Sequence, residues 1–323
     1  ASVGGLIMPP VMGAAAFVMA ELIQVPYFEI VKAAILGGIL YFFGILISVH
    51  FMSKRLGIKP LPREDMPKWS DLLPDLHLVL PLILLVTMMA MRFSAFHAAF
   101  YSTIAIVVVS WLRPHTRMTP AVIYRALVNA GATIAIIAVA VTCAGIIMAA
   151  MTNTGLILAF GGIIKTIAGS SVTGIVVVLA GVCLLLGMGV PTTPAYIITS
   201  AIGTPILAAA TDASLLQIHL FVFYFAVLAD ATPPVAAASY AAAAIAKANP
   251  LASGFYAFRM AIGGFMAGFS FIFAPGLTLS APLPEVIITF LGLSGAIVIF
   301  AMGSVGFITR QLAWPLRLVL VAG

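Results

Sequence analysis

Long apolar runs separated by short polar breaks dominate the pattern. Phe28 to Phe51 is unbroken and of the length a bilayer requires, about 20 residues. Leu76 to Met91 and Ala95 to Leu112 read as two spans joined by a turn near Arg92. Thr119-Pro120 is a helix start, with Thr as cap and Pro in the first turn, and the helix runs to about Met151; Thr152 and Asn153 end it at the outer surface. Leu156 to Ile167 is too short to span and carries Lys165, so an interfacial helix is expected. Val172 to Leu186 and Ala195 to Ala209 flank Gly-Met-Gly-Val-Pro-Thr-Thr-Pro as two arms around a tip, neither long enough to cross alone. Ser214 with Gln217 forms a capping box for the next helix. Leu251 to Phe273 and Val286 to Met302 follow the broken span, and then a short tail with Arg310 and Arg317.

Two apolar segments are interrupted. Gly4 to Ile23 contains Gly4, Gly5, Pro9 and Pro10, and the run from Leu215 to Ala246 contains Pro233 and Pro234. Proline lacks the N–H a helix interior needs, and it pushes the preceding residue out of the helical region. Each segment therefore reads as a span broken near its middle. In the second, the carbonyls from Phe225 to Ala231 lose helical partners. Irregular backbone at that depth persists only inside protein or along a wet cavity. Asp230 lies in this break, and an acidic side chain at membrane depth marks a functional site by default. Pro9, Pro10 and Val11 align with Pro233, Pro234 and Val235, with small residues after both, against a background of 20 prolines in which a chance recurrence is the alternative.

Composition agrees with the pattern. Of 323 residues, 63% are hydrophobic and 7% charged, with a mean hydropathy of +1.23; a soluble domain carries about a quarter charged residues. An all-α polytopic membrane protein follows. Net charge of +6 does not call for nucleic acid, because Lys and Arg gather in cytoplasmic loops of membrane proteins. Cys143 and Cys183, each in an apolar run, read as packing residues. The chain opens Ala-Ser-Val-Gly-Gly, without Met or a basic leader, and a fragment of a larger chain is expected.

Basic residues also orient the spans. Residues 53–75, 113–118, the region of Lys247 and the C-terminal tail fall inside. Both broken spans then cross in opposite directions, and the arms around Gly187–Pro194 form a re-entrant hairpin entered from outside; Lys32 and Lys165 count mildly against this map. Interrupted segments of inverted topology at matching positions of two halves point to a secondary-transporter binding site. The organisation expected is residues 1–52, the end of a first inverted repeat; 53–75, a cytoplasmic loop; 76–151, scaffold spans; 152–250, a transport core with hairpin and broken helix; and 251–323, C-terminal spans and tail.

Three stretches carry a family resemblance: Gly5-Leu-Ile-Met-Pro-Pro-Val-Met-Gly-Ala-Ala-Ala-Phe, Gly187-Met-Gly-Val-Pro-Thr-Thr-Pro-Ala-Tyr, and His219-Leu-Phe-Val-Phe-Tyr-Phe-Ala-Val-Leu-Ala-Asp-Ala-Thr-Pro-Pro-Val. Together they resemble the large membrane subunit of tripartite ATP-independent periplasmic (TRAP) transporters, most of all the branch with fused membrane subunits and a TAXI-type binding protein. The resemblance implies an inverted-repeat ion-transporter-type fold in a bacterial or archaeal cytoplasmic membrane. It implies an elevator-type importer of an organic acid, often a carboxylate, driven by Na+. Its partners would be a periplasmic substrate-binding protein and a small membrane subunit or its fused equivalent, with lipid around it, no nucleic acid and no cofactor. H+ coupling is the alternative, and an ion channel a more remote one; an intramembrane enzyme lacks its parts, having neither His-Glu-x-x-His nor a second intramembrane Asp.

By the same resemblance the sites lie between hairpin tips and helix breaks. Ion ligands are expected from Gly187, Gly189, Val190, Thr192, Thr193, Ala229, Asp230, Thr232, Gly4 and Gly5. The substrate would meet Pro10, Thr193, Pro194, Pro234, Ser239 and Tyr240. Freed carbonyls and Thr hydroxyls suit Na+, a hard ion, although the tip can also be read as a plain tight turn. Helix N-termini after Pro194 and Pro234 suit a carboxylate. Asp230, whose counterpart in the first break is Leu6, is open to three roles: ion ligand, proton carrier, or partner of a helix end. Ser239 and Tyr240 read equally as substrate-facing or packing residues. His219, about three turns earlier, reads as a residue near the outer interface. The motifs hold no Arg to clamp a carboxylate.

Overall fold

The computed structural model describes residues 2–59, 62, 66, 73–169 and 171–322. Much of the 53–75 loop, including Arg63 and Lys68, lies outside the described residues, as does the side chain of Lys165. The described residues are helical, with one isolated bridge between Phe307 and Gln311. The chain is a multi-pass membrane protein: four helices are long and apolar enough to cross a bilayer, or up to six counting bent pairs as single spans, among the described residues.

The chain divides into two compact units, residues 1–23, 30–58 and 140–323 forming one and 24–29 and 59–139 the other. We label the helices α1 (Ala14–Ile23), α2 (Tyr27–Leu56), α3 (Leu80–Ala90), α4 (Ala95–Ser110), α5 (Pro120–Asn153), α6 (Leu156–Ala168), α7 (Val172–Gly187), α8 (Thr192–Ala210), α9 (Leu215–Leu228), α10 (Ala237–Ala246), α11 (Pro250–Met260), α12 (Ile262–Phe273), α13 (Leu283–Val305) and α14 (Trp314–Ala322).

In the larger unit α9 is the hub. Every residue from Gln217 to Leu228 is buried, which a helix apolar on all faces requires. The expected capping box is present: Ser214 accepts from the Gln217 N–H while the Gln217 side chain accepts from Ser214 N–H at 2.8 Å. Around α9 pack α8, α12, α7 and α1. On the α12 side the contact is aromatic. Phe225 meets Phe269 edge-on at 5.0 Å and Tyr224 meets Phe271 at 4.8 Å. Against α2, by contrast, α12 presents glycine. A Cβ on Gly44 would fall 2.9 Å from the Gly263 Cα, and one on Gly264 2.6 Å from the Tyr41 ring, so the two backbones nearly touch. Small residues at such seams let helices approach where lipid offers no hydrophobic drive.

Three expectations about elements change. The run 251–273 is two helices, α11 and α12, bent by 44° at Ala261, because the glycines after the bend draw α12 onto α2. The second hairpin arm begins at Thr192, three residues early. Pro194 fits there because the first N–H groups of a helix have no partner to lose. At 19 residues this arm reaches spanning length, contrary to the expectation that neither arm could cross alone. The tail is no loose end: α14 packs on α13, and the α13 C-terminus is capped by Arg55 on the Val305 carbonyl at 2.6 Å and by Arg317 on Gly303 and Ser304. Cations there also oppose the negative end of the helix dipole. Helix α5 ends at Asn153, as expected, and α6 turns sharply into α7.

The smaller unit holds α3 and α4 as an antiparallel pair, turning at Arg92 with φ +65. Asp75 and His115 pair at 2.7 Å, and His77 meets Thr116 at 3.2 Å.

Candidate ion and substrate site

The second break starts where α9 ends. Its chain tightens into a 3-10 turn at Ala229–Ala231, then Thr232 is extended and Pro233-Pro234 follow. Thr232 takes up two carbonyls that the break releases: its N–H donates to Ala229 O at 3.1 Å and its hydroxyl to Leu228 O at 2.8 Å. The released carbonyls are thus partly consumed within the break itself. Tyr240 turns back from α10 and donates its hydroxyl to Pro234 O at 2.5 Å.

The first break has the same local form. A 3-10 turn at Ser2–Leu6 precedes Pro9-Pro10, and both Pro-Pro bonds are cis. Two residues later Met12 and Ala236 occupy matching positions and both have positive φ, +51 and +36. Their N–H groups donate to matching carbonyls, Met12 to Met8 at 3.4 Å and Ala236 to Thr232 at 3.1 Å. L-residues with a Cβ enter that region at a cost of about 1–2 kcal/mol, so two such residues at aligned positions do not arise from composition alone.

The hairpin tip meets the second break directly. Helix α7 ends at Gly187, where a Cβ would lie 2.8 Å from Ala229 Cβ. Gly189 turns the chain with φ +75 and faces Val235 at 3.7 Å. Val190 N–H closes the turn on Gly187 O at 3.4 Å. Thr192, the first residue of α8, then donates its hydroxyl to Asp230 Oδ2 at 3.3 Å. Gly187, Gly189, Thr192, Ala229 and Asp230 are therefore brought together by two elements some forty residues apart in sequence. Thr193 and Pro194 are buried in the first turn of α8. Among the described residues no group of three His, Cys, Asp or Glu is placed to hold a metal. The oxygens offered are the Asp230 carboxylate, the Thr192 hydroxyl and backbone carbonyls of the tip and the break, a set for a hard cation.

A cavity of about 310 Å³ opens between the two breaks, lined among others by Val3, Tyr41, Ala231, Ser239 and Met260. Ser239 thus faces a space that both breaks share. Tyr240 does not line it and instead ties α10 to the break. In the first break Gly4 packs on the rings of Tyr41 and Phe42, while Gly5 is exposed with open space beside it. Pro10 is half-buried and Pro234 exposed.

The model of one protein family, described as tripartite ATP-independent periplasmic transporter, DctM component, matches residues 1–286. The chain belongs to that family. It is a TRAP-type secondary-transporter permease, the large membrane subunit, and the family is one of transporter components and not of enzymes. Membership implies two partners, a periplasmic binding protein and a small membrane subunit. No curated protein matches the chain.

Two features of this TRAP permease escaped the sequence reading. His219 is buried among the helices, 6% exposed. Its Nδ1 meets the Tyr196 hydroxyl at 2.5 Å and its Nε2 the Thr204 hydroxyl at 3.4 Å, both on the second hairpin arm. This pins α8 to α9 three turns away from Asp230. Arg259 is the one charged residue of the apolar run 251–273. A charge inside a span is itself a signal of function.

Proposed function

We propose that this permease imports an organic acid, a carboxylate, by an elevator-type movement coupled to Na+, receiving it from a TAXI-type periplasmic binding protein at a bacterial or archaeal cytoplasmic membrane. The observation that carries the reading is the Thr192–Asp230 contact at 3.3 Å, which joins the hairpin tip to the broken helix. Na+ is a hard ion that takes oxygen ligands, and this junction gathers a carboxylate, a hydroxyl and backbone carbonyls. A bound cation favours the ionised carboxylate, so occupancy of the junction and closure of the tip on the break support one another. The substrate end of the reading rests on Ser239 and the cavity between the breaks. Its volume is at the small end of ligand sites. Helices α8 and α10 begin beside the tip and the break, and their N-termini supply partial positive charge for an anion.

The test is uptake by proteoliposomes holding the complete transporter, supplied with its binding protein, under an imposed Na+ gradient or pH gradient alone. Uptake driven by Na+ alone, and abolished when Na+ is balanced, is expected. Uptake that follows only the pH gradient transfers the coupling to H+. A channel would show no substrate-driven counterflow.

A further inference from the structure

A second cavity opens along α11 and α12. It measures about 860 Å³ and is walled by Gly181 of α7, Phe225 of α9, Phe255 of α11, and Phe265 and Phe269 of α12. Arg259 is its charged group. The Arg259 guanidinium lies 5.2 Å from the Tyr256 ring, a cation–π contact that holds it at the cavity edge. One of its terminal nitrogens is buried with no hydrogen-bond partner among the described residues. Among the described residues no carboxylate answers it there; the charges that reach it are two more cations, Arg317 and Arg55. Those two are already bound to the carbonyl end of α13. A buried donor without an acceptor costs about 1–3 kcal/mol, more when charged, so this arrangement calls for an anion beyond the described residues.

The geometry points to a bound anionic phospholipid, its phosphate on Arg259 and an acyl chain along the aromatic groove. The reasoning is charge complementarity joined to shape. Arg259, with the positive charge of Arg55 and Arg317 behind it and no counter-ion among the described residues, supplies the headgroup site, and a wall of Phe side chains supplies the chain site. Basic pockets between spans on the positive-inside face bind anionic headgroups, and Arg55 and Arg317 place this cluster on that face. A free organic acid would use the guanidinium and leave the apolar wall without an occupant. This site is separate from Asp230 and Ser239 and does not depend on the coupling ion.

The experiment is native mass spectrometry of the complete transporter, released into mild detergent from bilayers of mixed phosphatidylglycerol and phosphatidylcholine. Wild type is expected to keep phosphatidylglycerol in preference by roughly tenfold, the scale of a charge-assisted contact. Arg259→Gln should remove that preference, and Arg259→Lys should keep most of it. Gly181→Phe is the second variant: Gly181 lines the groove and nothing lies within 4 Å of a Cβ there, so the ring is built from open space into the groove. It should lower retention of both lipids while Arg259 stays in place. Equal retention in wild type and Arg259→Gln overturns the inference, as does loss of preference in Arg259→Gln with Gly181→Phe unaffected, which reduces the effect to a surface charge. Displacement of the lipid by a transported carboxylate also overturns it and gives the groove to the substrate.

Discussion

Adding one methyl group at Gly187 tests the junction most sharply. A Cβ there would stand 2.8 Å from Ala229 Cβ and 3.3 Å from the Ala226 carbonyl oxygen. Apolar carbons settle at roughly 3.5–4.0 Å, so tip and break must part by about 1 Å. The Thr192–Asp230 contact, 3.3 Å now, would open to about 4 Å and cease to be a hydrogen bond. Hydrogen bonds to charged groups contribute about 1.5–3 kcal/mol, which converts to roughly a 10- to 150-fold rise in the Na+ concentration needed for half-maximal uptake. Helix formation is not at issue, since Ala is the better helix former by up to about 1 kcal/mol. The partner substitution is Ala229→Gly, which removes the opposing methyl. Initial uptake rates against Na+ concentration in proteoliposomes, for Gly187→Ala, Ala229→Gly and the pair, form a double-mutant cycle. Gly187→Ala alone should show the large shift and the double variant should recover most of it. Gly189→Ala serves as control: its nearest neighbour is 3.7 Å away, so it carries only a backbone cost of about 1 kcal/mol. If Gly187→Ala leaves the Na+ dependence unchanged, or if Ala229→Gly fails to restore it, contact between tip and break does not set ion affinity.

Asp230→Asn should weaken Na+ dependence, because the amide keeps an oxygen ligand but loses the charge. Intact exchange at equal gradients with loss only of pH-driven uptake would instead make Asp230 a proton carrier. Tyr196→Phe should leave the buried His219 without its 2.5 Å partner and lower stability by about 1–3 kcal/mol; a melting temperature in detergent equal to wild type would show that this bond holds nothing. A cysteine at Asp212 should react with an impermeant maleimide added outside, and one at Arg63 should not. The opposite pattern would remove the inverted crossing of the two broken spans.

What was legible in the sequence was mostly backbone. Proline pairs locate both breaks because a missing N–H is a property of the residue itself, and the box of Ser214 and Gln217 is a local arrangement that survives any packing. Meeting points were less readable. The partners of His219, Tyr196 and Thr204, lie on another arm, and no spacing rule couples them. The bend at Ala261 has no proline to announce it; its cause is the close approach of Gly263 and Gly264 to α2, a tertiary effect. Thr192 seemed part of the tip and proved to be the first residue of α8. That shift aims its hydroxyl at Asp230. Arg259 was visible, but only the burial of its terminal nitrogen, without a hydrogen-bond acceptor among the described residues, gives it meaning.

The seam where α2 and α12 meet backbone to backbone has a consequence for how this sequence can drift over time. Side-chain interfaces yield gradually, since a bulkier residue is absorbed when its neighbour shrinks. At Gly44 and Gly263 there is no neighbour to shrink, because the opposing surface is main chain that every residue carries. Compensation is closed to those sites, and lineages should retain them while the exposed apolar faces elsewhere exchange Leu, Ile, Val and Phe freely. Such positions act as fixed marks for aligning remote relatives whose other spans have become unrecognisable.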